Sequence, residues 1–332
     1  MKTIKILTIG FLLLSFPAKS QYLPTTGQPF QFAPVYNPAF TGIDAFGDIK
    51  LQYRSQFGTY GANSPTFFNA LYQFRLNEPY AANVNSFRTG SAHEESTTRA
   101  TGIIHGMGIN MFDEQLGAMS RRGGGISYAF HIPISEKFML AVGTSAMVEN
   151  LRIDPDKIYL GAGADPDPIY DQIMSGKTNN TQLNVRAGAV LYSQNFYVGV
   201  SYLPVWKFDL NDASWMTASS IYKATFQTGY NFVLSENLQL KPSVVGYLNE
   251  GNHVNFDYAA KIYIHDVVWT GLMYRDTQMG VAQLGFNINK MFSAAYSYEL
   301  ATGGDWKFGS GSHELVLGIR LNNFRNQTNY LW

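Results

Sequence analysis

The feature that most limits how this chain can fold is a two-residue alternation of apolar and polar side chains, repeated in segments of about ten residues. Ile49, Leu51 and Tyr53 alternate with Lys50, Gln52 and Arg54. Leu183, Val185, Ala187, Ala189 and Leu191 alternate with Gln182, Asn184, Arg186 and Gly188. Leu238, Leu240 and Val244 stand opposite Gln239, Lys241 and Ser243, and the last such segment sets Leu315, Leu317, Ile319 and Leu321 against Glu314, Gly318, Arg320 and Asn322. This period puts a different chemistry on each face of a strand. Fourteen candidate strands follow: 46–57, 65–75, 100–112, 119–132, 137–149, 181–192, 195–205, 220–232, 237–247, 253–264, 267–275, 278–287, 291–300 and 312–322. Tilted transmembrane strands need about 9–11 residues, which these spans supply. Tight connections, such as Ser193-Gln194 and His265-Asp266, alternate with longer ones at 150–180, 206–219 and 301–311. That is the rhythm of short periplasmic turns and longer outer loops. The long polar stretch 76–99 departs from it, because strand parity puts it on the periplasmic side.

A soluble β-sandwich would show the same alternation with its faces reversed, so composition has to decide. Only 14% of residues are charged and 15% are aromatic, against about 25% charged in an ordinary soluble domain. The polar face is mostly Gln, Asn, Ser, Thr, Tyr and Gly rather than Lys and Glu. From Gln21 onward every apolar run is broken within a few residues, and only helices and closed barrels satisfy their backbone groups in lipid. The reading is an all-β fold: a transmembrane antiparallel β-barrel of fourteen strands.

The first twenty residues read as a cleaved secretory signal. Lys2 and Lys5 precede the apolar stretch Ile6 to Phe16, and Ala18-Lys19-Ser20 provides a small-x-small site. Removing them takes three Lys and no acid from 24 basic and 24 acidic residues, leaving a formal charge of −3. Residues 21–45 then form an N-terminal segment at or inside the periplasmic mouth, 46–322 the barrel and 323–332 a tail. Asn37-Pro38 makes a turn, either within that segment or simply at the start of strand one. Balanced charge argues against a nucleic-acid partner, and the absence of cysteine excludes disulfides, thiol nucleophiles and Cys-rich metal sites.

No catalytic constellation stands out. The six histidines lack ligand spacing. Ser312, His313 and Glu314 are consecutive, but on a strand His313 faces away from the other two. Asp165, Asp167 and Asp171 form an acidic loop that could hold Ca²⁺, yet it lacks the glycine and terminal Glu of an EF-hand. Gly123-Gly124-Gly125 lies in a strand pattern and marks a bend or a place kept open. The inward polar face remains, including Arg54, Gln56, Asn184, Arg186, Lys241, Asp257, Lys261, Glu314 and Arg320. Fourteen strands enclose more space than these side chains fill, so water, a plug or a guest segment must share the lumen. No cofactor is expected.

Certain residues also resemble a known family. Asn37-Pro38-Ala39-Phe40-Thr41-Gly42 followed by Tyr53-Arg54-Ser55-Gln56-Phe57 is similar to the N-P-A-x-x-G and Y-R-x-Q-W of the PorP/SprF family, Bacteroidetes outer-membrane proteins of the type IX secretion system. Phe57 stands where the family has Trp. Asn195 to Ser201 resembles the family's F-Y-x-G-x-S strand, Tyr296-Ser297-Tyr298-Glu299 its Y-S-Y-D, and Gly311 to Leu317 its G-S-H-E-I-x-L. The resemblance implies a fourteen-stranded barrel without catalysis, involved in protein secretion and gliding motility. It further implies partners: the C-terminal domain of a secreted adhesin held at the cell surface, or the translocon and periplasmic ring lipoproteins of the secretion machine. The competing readings are a transport channel for small or apolar solutes and, third, an outer-membrane enzyme.

Overall fold

Alternation assigns each side chain to a face, and closure of the sheet decides what the inner faces meet. In the computed structural model the described residues are 26–44, 47–58, 64–77, 102–158, 168–176, 178–211, 222–249, 251–303 and 311–321. The strands are β1 (Gly47–Ser55), β2 (Thr66–Arg75), β3 (Ile104–Leu116), β4 (Met119–Pro133), β5 (Met139–Ile153), β6 (Asn179–Tyr192), β7 (Phe196–Asp209) and β8 (Tyr222–Tyr230). They continue as β9 (Phe232–Ser235), β10 (Leu238–Asn249), β11 (Val254–Ile264), β12 (Val268–Arg275), β13 (Met279–Asn287), β14 (Phe292–Ala301) and β15 (Ser312–Leu321). Each pairs antiparallel with its neighbour, and β15 returns to β1 with Leu51 opposite Leu317, which closes the barrel. β8 and β9 both pair with β10 and are separated only by Asn231, so they are two pieces of one stave. The wall therefore has fourteen staves, and no sheet edge is left to face lipid.

The faces follow the sequence. Lys50, Gln52 and Arg54 are buried inside, while Tyr53 is 52% exposed outside. Leu272, Trp206, Met111, Leu284 and Leu317 are among the exposed apolar residues of the outer surface, where lipid replaces water as the solvent. The strand expected at 100–112 lies four residues further on. β3 runs on through Asp113 and Glu114 because these pair across the hairpin with Arg122 at 3.1 Å and Arg121 at 3.5 Å. The hairpin turns at Gly117, whose φ of +57° suits glycine.

The lumen is not lined by amides alone. Inward positions on adjacent strands also carry Tyr192, Tyr197, Val245, Tyr247, Tyr263 and Trp269, which form an apolar core with the chain's own N-terminal residues. The glycine run on β4 is not kept open either. A Cβ on Gly123 would lie 2.6 Å from the ring of Phe112, so the glycine makes room for that side chain.

Candidate functional site

Residues 26–44 have no strand period and fold as three short turns, Pro29–Phe32, Ala33–Tyr36 and Pro38–Phe40. Turns this short have no stability of their own. They are held because they sit inside the barrel, where Phe32, Asn37, Ala39, Phe40 and Thr41 are each 0% exposed. The segment is a plug. It runs from Thr26, near Arg275 at the outer end of β12, to Asp44, near Asp48 at the inner end of β1. The outer rim is taken as the one bearing the connections 154–178, 210–221 and 302–311.

The first anchor is a glycine socket. Asn37 caps its own turn by accepting from the Ala39 N–H at 3.0 Å, and its amide donates to the Val200 carbonyl at 3.2 Å. Asn37-Pro38 thus turns within the plug rather than starting strand one. The wall beneath this turn is stripped of side chains. A Cβ on Gly143 would stand 2.5 Å from the Pro38 carbonyl, one on Gly188 would overlap the Asn37 side-chain oxygen, and one on Gly106 would overlap the Thr41 carbonyl oxygen. Gly143 and Gly188 are direct cross-strand partners on β5 and β6. Gly42 closes the motif at φ +73°, with its own Cβ position 2.5 Å from the Cα of Gly106. The plug backbone approaches the wall where only glycine permits it.

Around the socket, side chains of the wall satisfy the plug's backbone. Gln73 accepts from the Gly42 N–H at 3.0 Å, and Arg75 donates to the Gly42 and Ile43 carbonyls at 2.9 and 2.6 Å. Ser201 donates to the Tyr36 carbonyl at 2.7 Å. His131 Nε2 lies 2.9 Å from the Thr41 carbonyl oxygen, which can only accept, so Nε2 carries the proton and Nδ1 accepts from the Tyr192 hydroxyl at 2.9 Å.

The second anchor is ionic. Arg54 bridges Glu299 at 2.8 Å and Glu314 at 3.5 Å, while Arg275 bridges Glu299 and, at 3.3 Å, Asp257. The same groups grip the start of the plug. Glu314 accepts from the Gly27 N–H at 2.6 Å, Gln283 donates to the Gly27 carbonyl at 2.7 Å, and Arg275 donates to the Thr26 carbonyl. All five charged groups are buried to 5% exposure or less.

The other residues singled out from the sequence fall into place around the plug. Arg186 pairs with Glu149 at 2.6 Å and reaches the Val35 carbonyl at 3.4 Å. Lys261 lies between the rings of Phe30 and Trp269, and Lys241 lies over Tyr263. Arg320 donates to Asn287 at 2.5 Å. Asn184 and Gln56 face inward and are buried without touching the plug through any described hydrogen bond. Asp171 sits exposed on the short helix Pro168–Met174, while Asp165 and Asp167 lie outside the described residues. Among the described residues no three His, Asp or Glu side chains cluster to hold a metal. Ser312 and Glu314 point inward, whereas His313 points out against Tyr296, whose hydroxyl is 2.6 Å from its Nδ1. Sequence reading missed Arg275, Glu299 and Gln283, although strand parity puts all three on the inner face. It also missed the socket glycines, which look like mere gaps in the alternation.

Asp44, at the inner end of the plug, gives a pH test. Burial, with Asp48 nearby, pushes its carboxyl from 3.8 up to about 6 against the opposing pull of Lys50, Arg75 and Arg320. The folded state therefore holds this proton more tightly than the unfolded chain does. The stability it lends is fully present below about pH 4 and is lost as pH rises through about 6. At about 1.4 kcal/mol per pH unit the difference reaches roughly 3 kcal/mol. Asp44→Asn is expected to raise the unfolding midpoint at pH 7.5 and to flatten its change between pH 4 and 7, read by denaturant titration at each pH.

Above the plug, on the outer side, lies a cavity of about 90 Å³ bounded by Tyr36, Phe112, Met147, Leu203 and Tyr222. A smaller one of about 20 Å³, room for one or two waters, lies on the inner side beside Lys50, Trp269 and Arg320.

No curated protein matches the chain significantly. Among solved structures, it is similar to the outer membrane protein Omp33 of Acinetobacter baumannii, with 12% identity and a TM-score of 0.46 over 85% of this chain and 100% of that one. A Pseudomonas aeruginosa FadL homologue gives 12% and 0.47, covering 91% and 94%. The CymD monoaromatic hydrocarbon channel gives 9% and 0.46, also covering 91% and 94%. The family model described as type IX secretion system membrane protein PorP/SprF matches residues 18–319, nearly the whole chain. This outer-membrane barrel belongs to the PorP/SprF family of type IX secretion system membrane proteins.

Proposed function

We propose that the barrel serves type IX secretion as a non-enzymatic anchor. In this reading it binds the C-terminal domain of a secreted adhesin at the cell surface, and joins that display, and the gliding it drives, to the periplasmic ring lipoproteins of the secretion machine. The observation that carries it is occlusion. The lumen is filled by the chain's own residues 26–44, which are anchored at both ends and contribute Phe30, Phe32, Phe40 and Ile43 to the internal core. A channel for small or apolar solutes needs a continuous path, and this plug stands across it. What is left for a surface partner is the outer rim and the cavity beneath it, and for a periplasmic one the inner rim.

In-cell crosslinking followed by purification of the full-length barrel tests this reading. The expected result is recovery of a secreted polypeptide through its C-terminal domain, together with secretion-machine components. If the barrel returns alone from cells that are actively secreting, the anchoring role is wrong.

A further inference from the structure

We infer that the cavity on the outer side of the plug is a receptor pocket for one neutral aromatic side chain of an extracellular polypeptide, tyrosine above all. This rests on the anchoring reading for its partner, though the pocket itself does not depend on it. The plug forms the floor through Tyr36, so an occupant can arrive only from outside. The rings of Phe112 and Tyr222 supply the walls, with Phe67 tilted against Phe112 at 6.4 Å. Aromatic partners favour such offset and edge contacts.

Each arginine at the cavity already faces a carboxylate. Arg186 is bound to Glu149 at 2.6 Å, and Arg121 sits 3.5 Å from Glu114 and over the Phe112 ring. A charged guest would therefore have to break a buried pair, which disfavours it. Polar capacity is left over instead. The Tyr222 hydroxyl, the Asn110 side-chain oxygen and the Nε groups of Arg121 and Arg186 are buried at the cavity and have no hydrogen-bond partner among the described residues, with Tyr222 and Asn110 each only 7% exposed. Buried groups of this kind favour a guest that brings a hydroxyl. The volume of about 90 Å³ admits one large side chain and excludes a stretch of backbone.

The test uses the full-length barrel in detergent micelles with N-acetyl-tyrosinamide, N-acetyl-phenylalaninamide and N-acetyl-glutamate amide as probes, read by saturation-transfer NMR. Ring protons of the first two are expected to saturate, with tyrosine the tighter by about threefold to tenfold, the worth of one hydrogen bond; the glutamate probe gives no signal. Tyr222→Phe erases the tyrosine preference but leaves phenylalanine binding in place, which a merely structural role would not do. Met147→Trp fills the pocket and abolishes both signals, while Met147→Leu retains them. Equal saturation in Met147→Trp, or stronger binding of the glutamate probe, overturns the pocket. The two proposals fail separately. A barrel that takes the ring yet copurifies with no secreted polypeptide overturns the anchor alone. One that copurifies equally well with and without Met147→Trp overturns the pocket alone.

Discussion

Replacing both Gly143 and Gly188 by valine unseats the N-terminal plug without weakening the wall. The Gly143 Cβ would stand 2.5 Å from the Pro38 carbonyl carbon and oxygen and 2.6 Å from the Ala39 nitrogen, all backbone atoms that cannot rotate aside. The Gly188 Cβ would collide with the Asn37 side chain, whose amide holds the turn to the Val200 carbonyl. Overpacking of this kind costs about 1–3 kcal/mol per site. The two glycines face each other across β5 and β6, where paired valines suit a strand better than paired glycines. The penalty therefore falls on the plug. Limited proteolysis of the membrane-embedded barrel is expected to cut within residues 26–44 in the double variant and to spare the wild type. Gly124→Ala, where the nearest atom is 3.5 Å away, serves as the silent control.

Arg275→Met produces the other large effect. It leaves Glu299 and Asp257 short of a counter-charge inside the barrel and frees the Thr26 carbonyl. Breaking a buried pair from one side costs about 3–5 kcal/mol, whereas replacing the whole set by neutral groups of similar size is often close to neutral. A drop of that size in unfolding free energy is expected for Arg275→Met, with most of it recovered when Glu299→Gln and Asp257→Asn are added. Added salt does little to this difference, because screening acts weakly on buried charges. If the single variant matches wild type in denaturant titrations, the clamp is not a determinant of stability.

Much of this architecture is legible in the sequence, because lipid on one side and a polar interior on the other force a strict period of two. Arg54, Asp257, Lys261 and Glu314 can all be assigned to the lumen from parity alone. Parity does not say who meets whom. Arg54 reaches Glu299, two staves away, only because β15 closes onto β1. The inner aromatic positions were obscured for a different reason: where Tyr197 or Trp269 points inward, both faces read as apolar. The end of β3 was hidden by Asp113 and Glu114, which look like a loop until Arg121 and Arg122 are placed across the hairpin. The N-terminal segment carries no period because its shape is imposed by the wall around it. The glycines that receive it are meaningful only once Asn37 and Pro38 are set against them.

Conductance in planar bilayers tests the central claim, that this barrel is closed by its own residues 26–44, most directly. The wild-type protein is expected to show no steady current, and a chain lacking residues 26–42 to open a steady pore. A wild-type barrel that conducts as much as the deletion would contradict the plugged lumen and everything built on it.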